Sequence, residues 1–254
     1  MKEIQVLDIP RIYTISESAH CIHNPFTSEK YATLGRVLRM NAGTRILDLG
    51  SGSGEMLCTW ARDHGVSGIG VDMSELFSQQ AKQRAKELDI ADCVTFIHQD
   101  ASGYVADEKC DIAACVGATW IGGGVAGTIE LLRKSLKPGG MLLIGEPYWR
   151  QVPATEEIAQ ACGASSLADF LTLPALVSFF DALGYDLVEM VLADQEGWDR
   201  YEAAKWLTMH RWLEENPGDD FASEIRAELS IAPKRHTIYT REYLGWGVFA
   251  LIAR

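Results

Sequence analysis

The chain has 254 residues, of which 47% are hydrophobic and 23% charged, and its formal net charge is −12 at pH 7. This composition is typical of a globular protein, and the negative charge disfavours nucleic acids and anionic membranes as partners. The first residues contain no apolar core long enough for a signal peptide, so we expect a cytoplasmic location. The six cysteines form no C-x-x-C pair and do not cluster with histidines at zinc spacing, so we expect no metal site.

Alternating strands and helices dominate the first 150 residues. Residues 1–40 form a predicted N-terminal cap, and residues 41–150 form a predicted ligand-binding core. The predicted elements are strand 45–49, helix 54–64, strand 67–71, helix 74–88, strand 93–98, strand 111–116, helix 125–136 and strand 140–145. Repeated strand–helix units of this length predict a parallel sheet covered on both faces, whose ligands bind outside the carboxyl ends of the strands.

One stretch without charge, residues 112–129, is nominally long enough to span a bilayer. It is interrupted by the glycines Gly122–Gly124 and begins directly after Asp111. We therefore interpret it as a buried strand that runs into a glycine loop, and we expect no association with a membrane.

The C-terminal part contains a predicted helix at 173–183, a strand at 185–193 and a last strand at 246–253. Residues 194–243 separate those two strands, which is far more chain than a hairpin needs. The segment is rich in helix formers and aromatic residues. We predict a helical insertion that lies over the strand ends and shapes an acceptor site. A dimer interface is the alternative, because exposed aromatic residues would serve there equally well.

The most informative motif is RILDLGSGSG at Arg45–Gly54, followed by Asp72 in GIGVDMS. Gly50, Gly52 and Gly54 let the backbone turn sharply and approach a ligand closely, and the following helix directs its N-terminal amides at the same place. Asp72 ends the second strand beside that turn, where a carboxylate can accept hydrogen bonds from two ribose hydroxyls. The motif therefore predicts a nucleoside-binding site.

Two details favour S-adenosylmethionine over a dinucleotide as the nucleoside. The glycine spacing is G-x-G-x-G, because Glu55 occupies the place of the third glycine of the dinucleotide motif. Asp48 lies two residues before the first glycine, where it would repel a pyrophosphate by roughly 3 kcal/mol at 5 Å and an effective dielectric near 20. The same carboxylate would attract the ammonium of a methionine moiety. The alternative is that Asp48 only pins the turn by accepting amide hydrogen bonds.

These motifs resemble those of the class I S-adenosylmethionine-dependent methyltransferases. The glycine turn, the acidic end of the second strand, HQDAS at His98–Ser102 and LKPGGMLLIGEP at Leu136–Pro147 occur in the family's order between Asn41 and Glu146. The resemblance implies an α/β fold with a doubly wound, mostly parallel seven-stranded sheet, Rossmann-like, whose last strand is antiparallel. The flanks NPFTSEKYATLGRVLRM and EGWDRYEAAKWLTMHRWLEENP further resemble a bacterial group, the YjhP-like methyltransferases, which implies no particular acceptor.

The resemblance assigns Asp100 and the backbone of Ala101 to the edge of the adenine. We expect Met73 to cover one face of the adenine, with ordinary packing as the alternative, and Gly117 to place a carbonyl near the sulfonium. Ser51 offers a hydroxyl within the turn, although small size alone would also explain a serine there. We expect Thr119 and Trp120 to form a wall of the acceptor site.

A general base is needed only if the acceptor enters protonated. The candidates are His20, His23, Tyr31, Glu146, Tyr148 and His210. Glu146 and Tyr148 rank first, because they follow the predicted fifth strand and should border the crevice. We predict methyl transfer to a small-molecule acceptor, with S-adenosylhomocysteine as the product, and leave the oligomeric state open.

Two other functions are compatible with a nucleoside site. A catalytically silent protein that binds S-adenosylmethionine or S-adenosylhomocysteine as a sensor or scaffold would not need the large aromatic insertion. An NAD-dependent dehydrogenase would need a different glycine spacing, and the sequence has no recognisable hydride-transfer residues.

Overall fold

A seven-stranded sheet forms the centre of the computed structural model, which describes residues 7–254. The strands are β1 (Arg45–Leu49), β2 (Ser67–Asp72), β3 (Val94–His98), β4 (Cys110–Val116), β5 (Leu136–Trp149), β6 (Tyr185–Leu192) and β7 (Leu244–Ala253). Their order across the sheet is β3-β2-β1-β4-β5-β7-β6. Strands β1 to β5 pair in parallel, and β7 is antiparallel to both β5 and β6. The predicted fold class is confirmed.

Helices cover both faces of this sheet. In residues 7–254 they are α1 (Arg11–Ser16), α2 (Ser28–Val37), α3 (Glu55–His64), α4 (Glu75–Glu87), α5 (Val125–Arg133), α6 (Glu156–Ala161), α7 (Leu173–Ala182), α8 (Gln195–Glu215), α9 (Ala222–Arg235) and α10 (Arg241–Tyr243). The predicted N-terminal cap thus contains α1 and α2, and its residues 1–6 lie outside the described residues. None of the helices in the described part has the length and apolar character needed to cross a membrane.

The core lies on both sides of the sheet because successive strand residues point to opposite faces. On β1, Ile46 packs into one apolar cluster together with Trp60 of α3, while Leu47 packs into a second cluster together with Phe180 of α7. Both faces are covered, so the central strands are mostly apolar and lack the alternation of a half-exposed sheet. The buried acids Asp48 of β1 and Glu146 of β5 are exceptions. The uncharged stretch 112–129 consists of most of β4, a 3-10 turn at Thr119–Gly122 and the start of α5.

Strand β5 is longer than the predicted strand 140–145. It begins at Leu136, which pairs with Cys110 before a register irregularity, and it continues to Trp149. The extension at the carboxyl end exists because β7 pairs with β5 from Met141 through Trp149. The prediction that Glu146 and Tyr148 follow the strand is therefore wrong in this respect, since both lie within it.

The segment between β6 and β7 is helical. Asp194 caps α8 by accepting a hydrogen bond from the Gly197 amide at 2.8 Å. After α9 the helix passes into a π-helical turn at His236–Thr240 and then into α10. An apolar cluster of Ile15, Met209 and Ile225 joins this segment to α1. The insertion is therefore packed onto the N-terminal helices.

Candidate active site

A glycine turn at residues 50–54 joins β1 to α3. Gly50 donates its amide to the Val71 carbonyl of β2 at 2.8 Å, which brings the turn against the end of the neighbouring strand. Gly54 begins the helix in the left-handed region with φ of 74°. A Cβ at Gly54 would lie 2.7 Å from Cζ of Phe96. The turn therefore requires glycine at this position for both its backbone conformation and its packing.

Asp72 holds this turn in place. Its Oδ2 accepts the Gly52 amide at 2.7 Å, and its Oδ1 accepts the Ser74 amide at 2.8 Å. Burial raises the pKa of the carboxyl group, and the two amide hydrogen bonds oppose that effect. The carboxylate is thus fixed at the end of β2, beside the start of α4, where it borders a pocket.

That pocket is open to solvent on one side and has a volume of about 580 Å³. The predicted binding residues that line it are Gly50, Gly52, Asp72, Met73, Ala101 and Gly117. Trp120, expected beside the acceptor, also lines it and is 60% exposed. The lining residues that the sequence analysis did not assign to the nucleoside site are Ile9, His23, Phe77, Val116, Ala118 and Ile121.

A second pocket of about 330 Å³ adjoins the first and shares His23, Gly50, Gly52 and Val116 with it. We call the two pockets together the glycine-turn crevice. Asp48, which is 3% exposed, and Ser51 line the second pocket.

Asp48 is the most unusual group in the crevice. Its Oδ1 has no hydrogen-bond partner within residues 7–254. Burial, reinforced by the charge of Asp72, raises the pKa of Asp48 to about 7. Asp72 pins the turn, and Asp48 faces a pocket whose described lining residues include no lysine or arginine. Such a group favours a positively charged ligand, which would lower the cost of its ionisation.

Tyr31 and Asn24 also line the second pocket. The Asn24 side chain donates to the Tyr31 hydroxyl at 2.8 Å, and Tyr31 is buried. These residues come from α2 and the loop before it, so only tertiary packing brings them to the glycine turn. Helical spacing places Tyr31 on a buried face but gives no signal that it lines a pocket together with Asp48.

Asp100 lies at the rim of the crevice and is exposed. Its carboxylate accepts the Ser102 hydroxyl at 2.6 Å and the Ser102 amide at 2.8 Å, and these bonds lower its pKa. Asp100 therefore closes a local turn, and the next residue, Ala101, lines the crevice. Its predicted contact with the adenine edge stays a prediction.

Glu146 and Tyr148 lie on the other side of the sheet from Asp48. Asp48 shares a strand face with Ile46 of the first apolar cluster. Glu146 shares the opposite face with Ile144 and Tyr148, both members of the second cluster. Neither residue lines the glycine-turn crevice. Their predicted catalytic role stays a prediction.

The environment of Glu146 is that of a buried acid. It is 8% exposed and accepts the Thr119 hydroxyl at 2.7 Å. Burial raises its pKa to about 7, and the hydrogen bond from Thr119 opposes this effect. Glu146 would therefore change its protonation state near neutral pH.

A larger cavity of about 1260 Å³ lies between α1, α8, α9 and the loop after α6. We call it the helical cavity. Trp198, Tyr201, Lys205 and Trp206 of α8 line it, opposite Tyr13 of α1. Three of the aromatic residues in the segment 194–243, Trp198, Tyr201 and Trp206, thus line a cavity.

The strand order, the glycine turn after β1 and the carboxylate at the end of β2 define the class of S-adenosylmethionine-dependent methyltransferases. Residues 46–140 match the family model described as a methyltransferase domain. YjhP of Escherichia coli (strain K12) is 78% identical over 248 residues, which cover 98% of this chain and 100% of that protein.

Two solved structures are similar over nearly the whole chain. The methyltransferase from Geobacter sulfurreducens, described as SAM-dependent and in complex with S-adenosyl-L-homocysteine, is 71% identical with a TM-score of 0.97, and the match covers 98% of this chain and 100% of that one. The corresponding methyltransferase complex from Thiobacillus denitrificans is 67% identical with a TM-score of 0.96, and the match covers 97% of this chain and 100% of that one. The chain belongs to the YjhP family of S-adenosylmethionine-dependent methyltransferases.

Proposed function

We propose that this protein transfers a methyl group from S-adenosylmethionine, bound in the glycine-turn crevice, to a small-molecule acceptor. The observation that carries the proposal is the pairing of two carboxylates in adjoining pockets. Asp72, fixed by two amides, suits ribose hydroxyls, and the unpartnered Asp48 suits an ammonium. A nucleoside joined to an amino acid has both groups. The complexes of the two bacterial relatives with S-adenosyl-L-homocysteine support this assignment.

The remaining crevice residues are then assigned by their positions. Met73 and Phe77 provide apolar surface for the adenine, and Ala101 with Asp100 lies at its edge. Gly117 follows β4 and lines the same pocket, so its carbonyl would lie near the sulfonium. Ser51 and Gly50 border the pocket of Asp48 and hence the methionine moiety.

The acceptor is assigned to the helical cavity. The cavity is large enough for a small organic molecule, and its aromatic walls provide flat apolar surface. Its charged groups are paired, Lys205 with Glu202 at 2.7 Å and Arg235 with Glu228. An ionic acceptor would compete with these pairs, so a neutral aromatic or aliphatic acceptor fits the cavity best.

The sulfonium supplies an activated methyl group, whose bond to sulfur breaks as the bond to the acceptor forms in line with it. The protein's contribution is then mainly orientation, which can supply roughly 7–11 kcal/mol. A protonated acceptor must also lose a proton. We propose Glu146 as the group that takes up this proton, because its pKa of about 7 allows it to accept one near neutral pH. Glu146 is linked to the crevice through Thr119, whose hydroxyl donates to it at 2.7 Å and which directly precedes the lining residue Trp120.

The test is isothermal titration of the protein with S-adenosylmethionine, S-adenosylhomocysteine and NAD. We expect the first two to bind and NAD not to bind. Asp72→Ala should weaken the binding of S-adenosylmethionine and S-adenosylhomocysteine by about 10- to 150-fold, which is the usual effect of losing a charged hydrogen-bond partner. Because Asp72 also holds the amides of Gly52 and Ser74, the variant should melt at a lower temperature, and affinity should be measured well below that point.

Incubation with cofactor labelled in the methyl group and a metabolite extract tests transfer itself. Label in a new small molecule would support a methyltransferase with such an acceptor. Tight binding of S-adenosylhomocysteine without any transfer would favour a silent sensor or scaffold. Tight binding of NAD alone would contradict the assignment of the crevice.

A further inference from the structure

A buried polar network connects the glycine-turn crevice to the helical cavity. Its centre is Glu17, which follows α1 and is 6% exposed. One carboxylate oxygen accepts the Tyr201 hydroxyl at 2.7 Å, and the other lies 3.4 Å from Nδ1 of His23. His23 lines the crevice and Tyr201 lines the cavity. Two contacts therefore separate the two sites.

His23 is held from several sides. Its Nε2 lies 2.8 Å from the Ser53 hydroxyl oxygen, and its ring packs on Phe77 with centroids 4.1 Å apart. A Cβ added to Gly52 would lie 2.6 Å from the His23 ring, so the ring lies directly over the glycine turn. The His23 ring is therefore a fixed part of the wall where the two pockets of the crevice meet.

The groups around Glu17 compensate its buried charge. Besides the contacts with His23 and Tyr201, the Lys205 ammonium lies 3.6 Å from one Glu17 carboxylate oxygen, and His20 Nδ1 lies 3.7 Å from the other. Burial raises the pKa of Glu17, but the hydrogen bond from His23 and the charge of Lys205 outweigh it and lower the pKa to about 2. Glu17 is thus ionised at neutral pH, and removing one of its partners leaves a buried charge less well compensated.

Lys205 and Tyr201 both belong to α8. The Lys205 ammonium also lies 4.0 Å above the centre of the Tyr201 ring. The contacts of Glu17 therefore attach α8 of the insertion to the residues between α1 and the glycine turn. A shift of α8 would move the Glu17 carboxylate, and the carboxylate fixes one edge of the His23 ring.

We propose that Glu17 is a positioning residue that couples the cofactor crevice to the acceptor cavity, by fixing His23 over the glycine turn and Tyr201 in the cavity wall. Binding of the nucleoside against His23 then stabilises the packing of α8 on α1 and prepares the cavity for the acceptor. This inference rests on the proposed function, since it requires the cofactor in the glycine-turn crevice. Coupling of this kind is reciprocal, so changes on α8 must also alter cofactor affinity.

The test variant is Tyr201→Phe, which removes only the hydroxyl that donates to Glu17 and does not touch the crevice lining. We expect the dissociation constant for S-adenosylhomocysteine, measured by titration calorimetry, to rise about 5- to 10-fold. Tyr239→Phe is the matched control, because it deletes the same hydroxyl elsewhere in the insertion, and it should change the constant less than twofold. Glu17→Gln combined with Tyr201→Phe should weaken binding by less than the product of the two single effects, since both act on one interaction.

Hydrogen exchange gives a second measurement that is independent of the affinity. Adding S-adenosylhomocysteine should slow amide exchange in α8 around Tyr201, and this slowing should be lost in Tyr201→Phe. Unaltered affinity in Tyr201→Phe, even with a lower melting temperature, would show a purely structural contact and overturn the coupling. So would unchanged exchange in α8. If the unaltered protein does not bind S-adenosylhomocysteine at all, the proposed function fails and this inference fails with it.

Discussion

The buried carboxylate of Asp48 should make the ligand-free protein less stable at neutral and alkaline pH than it would be without this charge. The pKa of the group rises from 3.8 to about 7 on folding. At roughly 1.4 kcal/mol per pKa unit, this shift corresponds to roughly 4 kcal/mol of destabilisation above pH 7. Asp48→Asn removes the charge but still buries a polar amide, which costs about 1–3 kcal/mol. We therefore expect the variant to be more stable by about 2 kcal/mol at pH 8.

The pH dependence of this gain follows from the same shift. Between about pH 4 and pH 7 the folded state binds more protons at Asp48 than the unfolded state does. The stability that this proton binding contributes is fully present below about pH 4 and is lost as the pH rises through about 7. Because the cost of burying the amide does not change with pH, Asp48→Asn should be less stable than the unaltered protein by about 2 kcal/mol at about pH 4. Its advantage should appear as the pH rises and stay constant above pH 7. In a protein of this size, 2 kcal/mol at pH 8 corresponds to about 4–8 °C in melting temperature.

The assay is thermal unfolding of both proteins across this pH range, without ligand. Asp111→Asn is a matched control at the opposite end of the sheet, where hydrogen bonds from Lys137 and the Arg45 amide outweigh burial and lower the carboxyl pKa. That variant should lose stability at neutral pH. In parallel, Asp48→Asn should bind S-adenosylhomocysteine at least tenfold more weakly. A gain in stability that does not depend on pH, or a loss of stability at pH 8, would refute the reasoning.

Two further changes test the turn and the buried acid. Gly54→Ala should destabilise the protein by about 2–4 kcal/mol in urea unfolding, because it combines a left-handed φ with a clash against Phe96. Gly103 has a φ of 83° and open space around it, so Gly103→Ala should cost only the backbone strain of a left-handed alanine, about 1–2 kcal/mol. Equal losses in the two variants would contradict the packing argument. Once an acceptor is found, kcat/KM should rise with pH through about 7, and Glu146→Gln should abolish this rise and slow transfer at least 100-fold. An unchanged pH profile in that variant would exclude Glu146 as the proton acceptor.

The parts of the site that lie close together in sequence were predictable. The glycine turn and Asp72 belong to consecutive elements, and their spacing alone places them side by side at the ends of β1 and β2. The charge of Asp48 beside the turn was equally visible in the sequence, because parallel strands fix where a carboxyl end lies.

The residues that come from distant elements were not predictable. Ile9, His23 and Tyr31 reach the crevice from the N-terminal segment, and no local pattern marks where that segment folds back. The end of β5 depends on its pairing with β7, about a hundred residues later, so Glu146 was placed after the strand when it lies within it. Periodicity within a segment determines which face is buried, whereas the partner of that face is set by tertiary packing.

The position of β7 has a consequence for how the molecule is made. β7 lies between β5 and β6 in the sheet although it follows both in sequence, and residues 193–243 separate it from β6. During synthesis, β5 therefore keeps an unpaired edge, and β6 has no neighbour in the sheet until the insertion and β7 have left the ribosome. Unpaired strand edges attract other chains, so nascent chains stalled within the insertion should depend on chaperones more than chains stalled after β7.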